Sequence, residues 1–98
     1  MNFKIDGITL YTCDQYGNKG RQIADKVAFA SYNESKNIFV VVGLDGVVQT
    51  RDQYGNPIRV LCENAVEARF TDDKNLIVRT KNGGTEQRDE YGFLIRTL

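Results

Sequence analysis

The chain has 98 residues, of which 13 are basic and 13 acidic, so its formal net charge is zero. A nucleic-acid binder needs an excess of Lys and Arg to release counterions from phosphates, and attraction to an anionic membrane needs the same excess. The composition therefore predicts neither a nucleic-acid partner nor a membrane partner. The hydrophobic fraction of 41% and the charged fraction of 27% are typical of a single folded domain over residues 1–98.

The N-terminal segment Met1–Asp6 lacks the apolar run of a signal peptide, and the longest apolar run is Ile38–Val42. That run is far shorter than the ~20 residues that cross a bilayer. These features predict a cytoplasmic protein in which Cys13 and Cys62 are free thiols. Without histidine, neither a Ser-His-Asp nor a Cys-His arrangement can form. We expect no enzyme activity, no catalytic residue, no metal site and no cofactor.

The predicted elements are eleven short antiparallel strands with almost no helix, because Val, Ile, Phe, Thr and Tyr alternate between turn residues without a helical period. In chain order the strands are Phe3–Asp6, Ile8–Asp14, Arg21–Ala24, Val27–Tyr32, Ile38–Val42, Val47–Asp52, Pro57–Leu61, Ala65–Thr71, Leu76–Thr80, Thr85–Asp89 and Phe93–Leu98.

One pattern occurs three times in the chain: Asp, then Gln or Glu, then Tyr and Gly, with Arg seven residues after the Asp. The three aspartates, Asp14, Asp52 and Asp89, are 38 and then 37 residues apart. Repetition at this period indicates one structural unit that stacks on its neighbours. The three copies cover about 1–25, 26–63 and 64–98, and the first copy lacks the front part of the unit.

The two longer copies also align upstream of the shared pattern. An offset of 38 residues places Ile38 with Leu76 and Val40 with Val78. The first copy departs from the other two at Cys13, where they have arginine. A reactive exposed thiol and simple sequence drift are both compatible with that departure.

The Asp-x-Tyr-Gly segment predicts a type I turn followed by a bulge, because Asp accepts a backbone N–H two residues on and Gly takes the left-handed conformation. Such a hairpin pairs Asp52 with Asn56. Counting back from that pair predicts three cross-strand contacts: Gln49 with Arg59, Glu86 with Arg96, and Tyr11 with Arg21.

Consecutive antiparallel meanders of this length predict about three propeller-blade-like units, with a single-chain β-barrel or sandwich as the alternative. The pattern resembles the tryptophan-glycine and tyrosine-aspartate β-repeat families, in which a Gly-containing hairpin also recurs between aliphatic strands. This chain has no tryptophan, and its period is longer than that of the tyrosine-aspartate repeats. The resemblance implies an architecture only, and no functional residue is carried over from it.

The candidate binding residues are the tyrosines and arginines that recur with the pattern, because Tyr is enriched at interfaces and Arg binds carboxylate or phosphate groups. They are Tyr16, Tyr54, Tyr91, Arg21, Arg51, Arg59, Arg88 and Arg96. The alternative is that each ring packs over its own hairpin and each arginine pairs with a neighbouring acid on a solvated face.

Three open-ended units would leave strand edges unpaired and apolar faces in contact with water. We therefore expect a homo-oligomer, with a dimer favoured, and an unknown protein partner. The function predicted from sequence is a non-enzymatic protein-interaction module that self-associates. The alternative is a small repeat lectin or small-ligand-binding protein with pockets between the repeats.

Overall fold

The computed structural model describes residues 1–98, which form eleven antiparallel strands in three sheets without any helix. The strands are β1 (Asn2–Asp6), β2 (Thr9–Cys13), β3 (Lys19–Ala24), β4 (Val27–Asn33), β5 (Ile38–Gly43), β6 (Val48–Asp52), β7 (Pro57–Cys62), β8 (Ala65–Phe70), β9 (Asn75–Thr80), β10 (Thr85–Asp89) and β11 (Leu94–Thr97). The strand prediction is confirmed, since each strand begins and ends within two residues of its predicted bounds. No helix that could cross a membrane is present.

Each sheet is a meander in which consecutive strands are hydrogen-bonded neighbours. Sheet 1 contains β1 to β3, sheet 2 contains β4 to β7 and sheet 3 contains β8 to β11. Sheet 1 has three strands where the others have four, and β1 occupies the place of β5 and β9. One edge of β1 is therefore without a partner strand in the place where sheets 2 and 3 have β4 and β8.

Sheet 2 lies between the other two, and the alternation of side chains along β5 produces this arrangement. Phe39 and Val41 belong to one buried cluster, which they share with Leu10 and Ile23 of sheet 1. Val40 and Val42 point to the opposite face and join a second cluster, which includes Leu61 and, from sheet 3, Ala65, Ala68, Leu76 and Val78. The apolar run Ile38–Val42 is thus covered on both faces within one chain.

The upstream alignment at an offset of 38 residues holds for β4 and β8 but is wrong for β5 and β9. Phe39 pairs with Arg51, and Leu76 pairs with Arg88, so Leu76 occupies the place of Phe39. The turn after β8 is one residue shorter than the turn after β4, because Phe70 pairs with Leu76 whereas Tyr32 pairs with Phe39. This deletion in a turn shifts β9 by one residue, so the side chains that face sheet 2 are Leu76 and Val78.

Candidate functional site

The three Asp-x-Tyr-Gly hairpins have the predicted conformation. In each, the Asp N–H donates to the carbonyl of the residue four positions on, and the Gly N–H donates back to the Asp carbonyl, over 2.9–3.1 Å. Gly17, Gly55 and Gly92 have φ of 82°, 93° and 93°. Hydrogen bonds from the backbone and side chain of Asn18 lower the pKa of Asp14, although desolvation acts in the opposite direction. The turn accounts for the repeated aspartates without any catalytic role.

The predicted cross-strand contacts beyond these turns are wrong by one residue. Thr50, and not Gln49, lies opposite Arg59, and Gln87, and not Glu86, lies opposite Arg96. In sheet 1, Tyr11 lies opposite Gln22 instead of Arg21. The reason is a second irregularity three residues after the glycine, which adds one residue to β3, β7 and β11 and turns their remaining side chains to the other face.

That second irregularity directs the recurring arginines toward the next sheet. The Arg21 guanidinium lies 5.6 Å from the ring centre of Tyr54, and the Arg59 guanidinium lies 4.8 Å from that of Tyr91. Each contact is a cation–π pair between an arginine and the hairpin of the following copy. Tyr11, which was predicted to meet Arg21, is covered by the Lys19 ammonium group at 4.9 Å.

The hairpin glycines lie in the same two contacts between sheets. A Cβ built on Gly55 would lie 3.0 Å from the carbonyl oxygen of Ile23, and one built on Gly92 would overlap the carbonyl group of Leu61. Ile23 and Leu61 are 3% and 7% exposed, and each belongs to one of the two buried clusters between sheets. Each contact between sheets thus combines the left-handed glycine of one copy with the arginine of the copy before it, which lies seven residues after that copy's aspartate.

Arg51 and Arg88 donate mainly within their own hairpins, although the Arg51 Nη1 also donates to the Ile23 carbonyl of sheet 1 at 3.3 Å. The Arg51 Nη1 donates to the Gly55 carbonyl at 2.8 Å, and the Arg88 Nη1 donates to the Gly92 carbonyl at 2.7 Å. Arg88 also forms an ion pair with Glu86 at 2.9 Å. These arginines hold the hairpins in shape, which leaves fewer of their donors for a ligand.

A cleft of about 310 Å³ between sheets 2 and 3 brings two candidate residues together, Arg59 and Tyr91. The other side chains lining it are Lys36, Ile38, Thr50, Ile58, Phe70 and Glu90. The Lys36 ammonium group pairs with Glu90 at 2.5 Å and lies 5.4 Å from the Phe70 ring centre. The hydrogen bond from Lys36 lowers the pKa of Glu90. Sequence reasoning missed this pair, because 54 residues separate its members and no local pattern links them.

A second cleft, of about 460 Å³, lies where the turn after β3 meets the turn after β5. Its charged lining residues are Asp25, Lys26 and Asp45, which come from turns that the sequence identified only as turns. Lys26 has a φ of 55°, an uncommon value for a residue with a side chain. None of the candidate tyrosines or arginines lies in this cleft.

The remaining candidates are exposed. Tyr16 is 79% exposed and has no arginine over its ring, and the Arg96 Nε donates to Gln87 at 2.8 Å at the open face of sheet 3. Cys13 and Cys62 are unpaired and half-buried, and burial raises the pKa of the Cys62 thiol. No group of three or more acidic or cysteine side chains could hold a metal ion.

Comparison with protein-family models and with curated protein sequences finds no match for this chain.

Proposed function

We propose that this protein is a non-enzymatic protein-interaction module that self-associates, and that its three sheets are successive blades of a propeller-like array. The observation that carries the proposal is β11, an edge strand with every residue exposed. Consecutive apolar side chains lie at its start, since Phe93, just before the strand, is 71% exposed and Leu94 and Ile95 are both 51% exposed. Unpaired backbone groups beside exposed apolar side chains favour association with another polypeptide.

The neighbouring edge strand β7 extends this apolar character. Ile58 is 53% exposed and Val60 is 60% exposed, whereas the corresponding part of β3 contains Gly20 and Gln22. The apolar edge is therefore a property of the second and third copies. Neither edge strand is needed to cover the two buried clusters, apart from Leu61 and the partly buried Cys62 at the end of β7. A binding role explains why these side chains are apolar.

The alternative, a repeat lectin or small-ligand-binding protein, would use the cleft between sheets 2 and 3. Carbohydrate binding needs an aromatic face that a sugar ring can cover. Both aromatic rings of this cleft already have a cation over them, since Lys36 lies over Phe70 and Arg59 lies over Tyr91. A ligand would have to displace these contacts, which favours the protein-interaction function over the lectin.

Sedimentation equilibrium from micromolar to millimolar protein tests the proposal. We expect the average mass to rise with concentration, and the variant Ile95→Lys to weaken association about ten-fold, because it replaces exposed apolar area with charge. The control is Thr97→Lys, which adds the same charge to β11 without removing an apolar side chain. A chain that stays monomeric at millimolar concentration would contradict self-association, and equal effects of the two variants would contradict a role for the apolar edge.

A further inference from the structure

The contact between sheet 1 and the second hairpin has the same parts as the contact between sheet 2 and the third hairpin. In both, an arginine of the earlier sheet lies over the tyrosine of the later hairpin. In both, the hairpin glycine lies against the backbone of the residue two positions after that arginine, Ile23 or Leu61. The chain therefore contains two copies of one joint, each made of an arginine-bearing edge strand and a Tyr–Gly hairpin.

Both halves of a third joint are exposed at the two ends of the array. Sheet 3 presents the edge-strand half, where Arg96 corresponds to Arg59 and Leu98 corresponds to Leu61. Leu98 is 60% exposed, whereas Leu61 is 7% exposed. The hairpin half is at the other end, where Tyr16 is 79% exposed and a Cβ built on Gly17 would have nothing within 4 Å.

We propose that the Tyr16–Gly17 hairpin of one copy docks on β11 of a second copy, with Arg96 over the Tyr16 ring and Gly17 against the backbone at Leu98. This inference rests on the proposed self-association and adds its partner surfaces and its direction. The two surfaces are different, so the contact is heterologous, and successive copies form either a closed ring or a filament. The two internal joints provide the geometry for the contact.

The end faces determine the strength of this contact. Across sheet 2, the row Phe29, Val42 and Val48 faces sheet 3, and the matching row on the open face of sheet 3 is Glu67, Arg79 and Thr85. The outer face of sheet 1 contains Lys4 and Asp6. When two copies join, Leu98 and the Tyr16–Gly17 hairpin become buried, but the charged faces of sheets 1 and 3 come together. The contact is therefore weaker than the internal joints, and its strength depends on the salt concentration.

Complementation between two variants tests the direction of the contact. Tyr16→Ala removes the hairpin half and leaves β11 intact, whereas Leu98→Asp removes the edge-strand half and leaves the hairpin intact. Both side chains are exposed, so circular dichroism and thermal unfolding of each variant should match the parent chain. We expect each variant alone to be a monomer at concentrations where the parent associates, and an equimolar mixture to form a dimer and nothing larger.

Two controls accompany this experiment. Leu44→Asp changes a leucine that is 53% exposed and lies in neither half of the joint, so it should associate like the parent. Tyr16→Phe keeps the ring under Arg96 and should also associate.

The outcomes separate the two proposals. The head-to-tail contact would be overturned if both single variants still associate as the parent chain does. It would also be overturned if the parent chain associates but the mixture of variants stays monomeric. In either case self-association itself would still hold. A parent chain that is monomeric at every concentration would overturn both. Dimers from the mixture, with monomers from each variant alone, would support both.

Discussion

The face of sheet 2 that meets sheet 3 and the open face of sheet 3 occupy equivalent positions but differ in chemistry. Phe29 and Val42 are cross-strand partners on the first face, and Glu67 and Arg79 are cross-strand partners on the second. Val42 is fully buried, whereas Arg79 is exposed and lies 3.8 Å from Glu67. At these equivalent positions the side chains are therefore apolar only where another sheet covers them, as in stacked repeats whose outermost units have polar outer faces.

The edge strands, unlike the faces, have the same residue types at covered and open positions. Leu61 and Leu98 hold the same place in successive sheets, and the side chain stays apolar whether a hairpin covers it or not. Arg59 and Arg96 are likewise the same residue type at covered and open positions. The open end of sheet 3 thus has a polar face but keeps Arg96 and Leu98, the residues on which a hairpin would dock. The proposed contact uses these two residues.

The largest difference between covered and open faces should appear when an aspartate is placed at the same position of each. Val42→Asp places a carboxylate in the core between sheets 2 and 3, and we expect it to lower the free energy of unfolding by about 4 kcal/mol or more. Arg79→Asp, at the equivalent open position, should change it by about 0.5 kcal/mol or less. Urea unfolding followed by circular dichroism measures both, and similar losses would show that the face of sheet 3 is covered.

The hairpin glycines should show a smaller difference. Gly92→Ala adds a methyl group that overlaps the Leu61 carbonyl and also strains a positive φ, so we expect a loss of about 2–3 kcal/mol. Gly17→Ala has the strain without the overlap and should cost about 1 kcal/mol. Dilute protein is used for the urea titrations, so that any association is absent. Equal costs at the two glycines would contradict the seating of the third hairpin on Leu61.

The arginine pairs should give a smaller effect again. Arg59→Ala removes the cation over Tyr91 and should cost about 0.5–1 kcal/mol in dilute protein. Arg96 has no ring beneath it in a single chain, so Arg96→Ala should leave the thermal unfolding of dilute protein almost unchanged. A larger loss from Arg96→Ala than from Arg59→Ala would mean that Arg96 has a structural role within the chain.

The aspartate turns give the chain a pH dependence at the acid end. Hydrogen bonds from Asn18 lower the pKa of Asp14 in the folded chain, so the stabilisation is fully present above the unfolded pKa of about 4 and is lost as the pH falls through the folded value. Asp14→Asn should therefore flatten the decrease of melting temperature below about pH 4. A decrease of unchanged steepness would show that Asp14 does not contribute to it.

The strands and hairpins could be predicted from sequence because their signals are local. The Asp-x-Tyr-Gly segment alone determines the turn, and the alternation around it determines the strands. The cross-strand contacts could not be predicted, since the second irregularity in β3, β7 and β11 has no residue signature comparable to the turn glycine. The shift of β9 was missed for a similar reason, because a one-residue deletion in a turn moves the face of Leu76 without changing its surroundings in sequence.

The sequence shows which tyrosines and arginines recur but not how they are arranged in space. The repeated tyrosines and arginines were identified, whereas their pairing between successive copies depends on the stacking of whole sheets. Glu90 belongs to the repeated motif, but Lys36, which it meets across a cleft, comes from the turn between β4 and β5, outside that motif. Contacts between sheets combine distant segments, and a single sequence does not show which ones meet.

A concentration series of backbone amide NMR spectra tests most directly whether the protein associates through the two ends of its array. We expect that, as concentration rises, chemical shifts change and amides become protected at the Tyr16–Gly17 hairpin and along Leu94–Leu98, while the amides of Ile38–Gly43 stay unchanged. Spectra that do not vary up to millimolar protein, or changes confined to other surfaces such as the turn at Leu44, would contradict it.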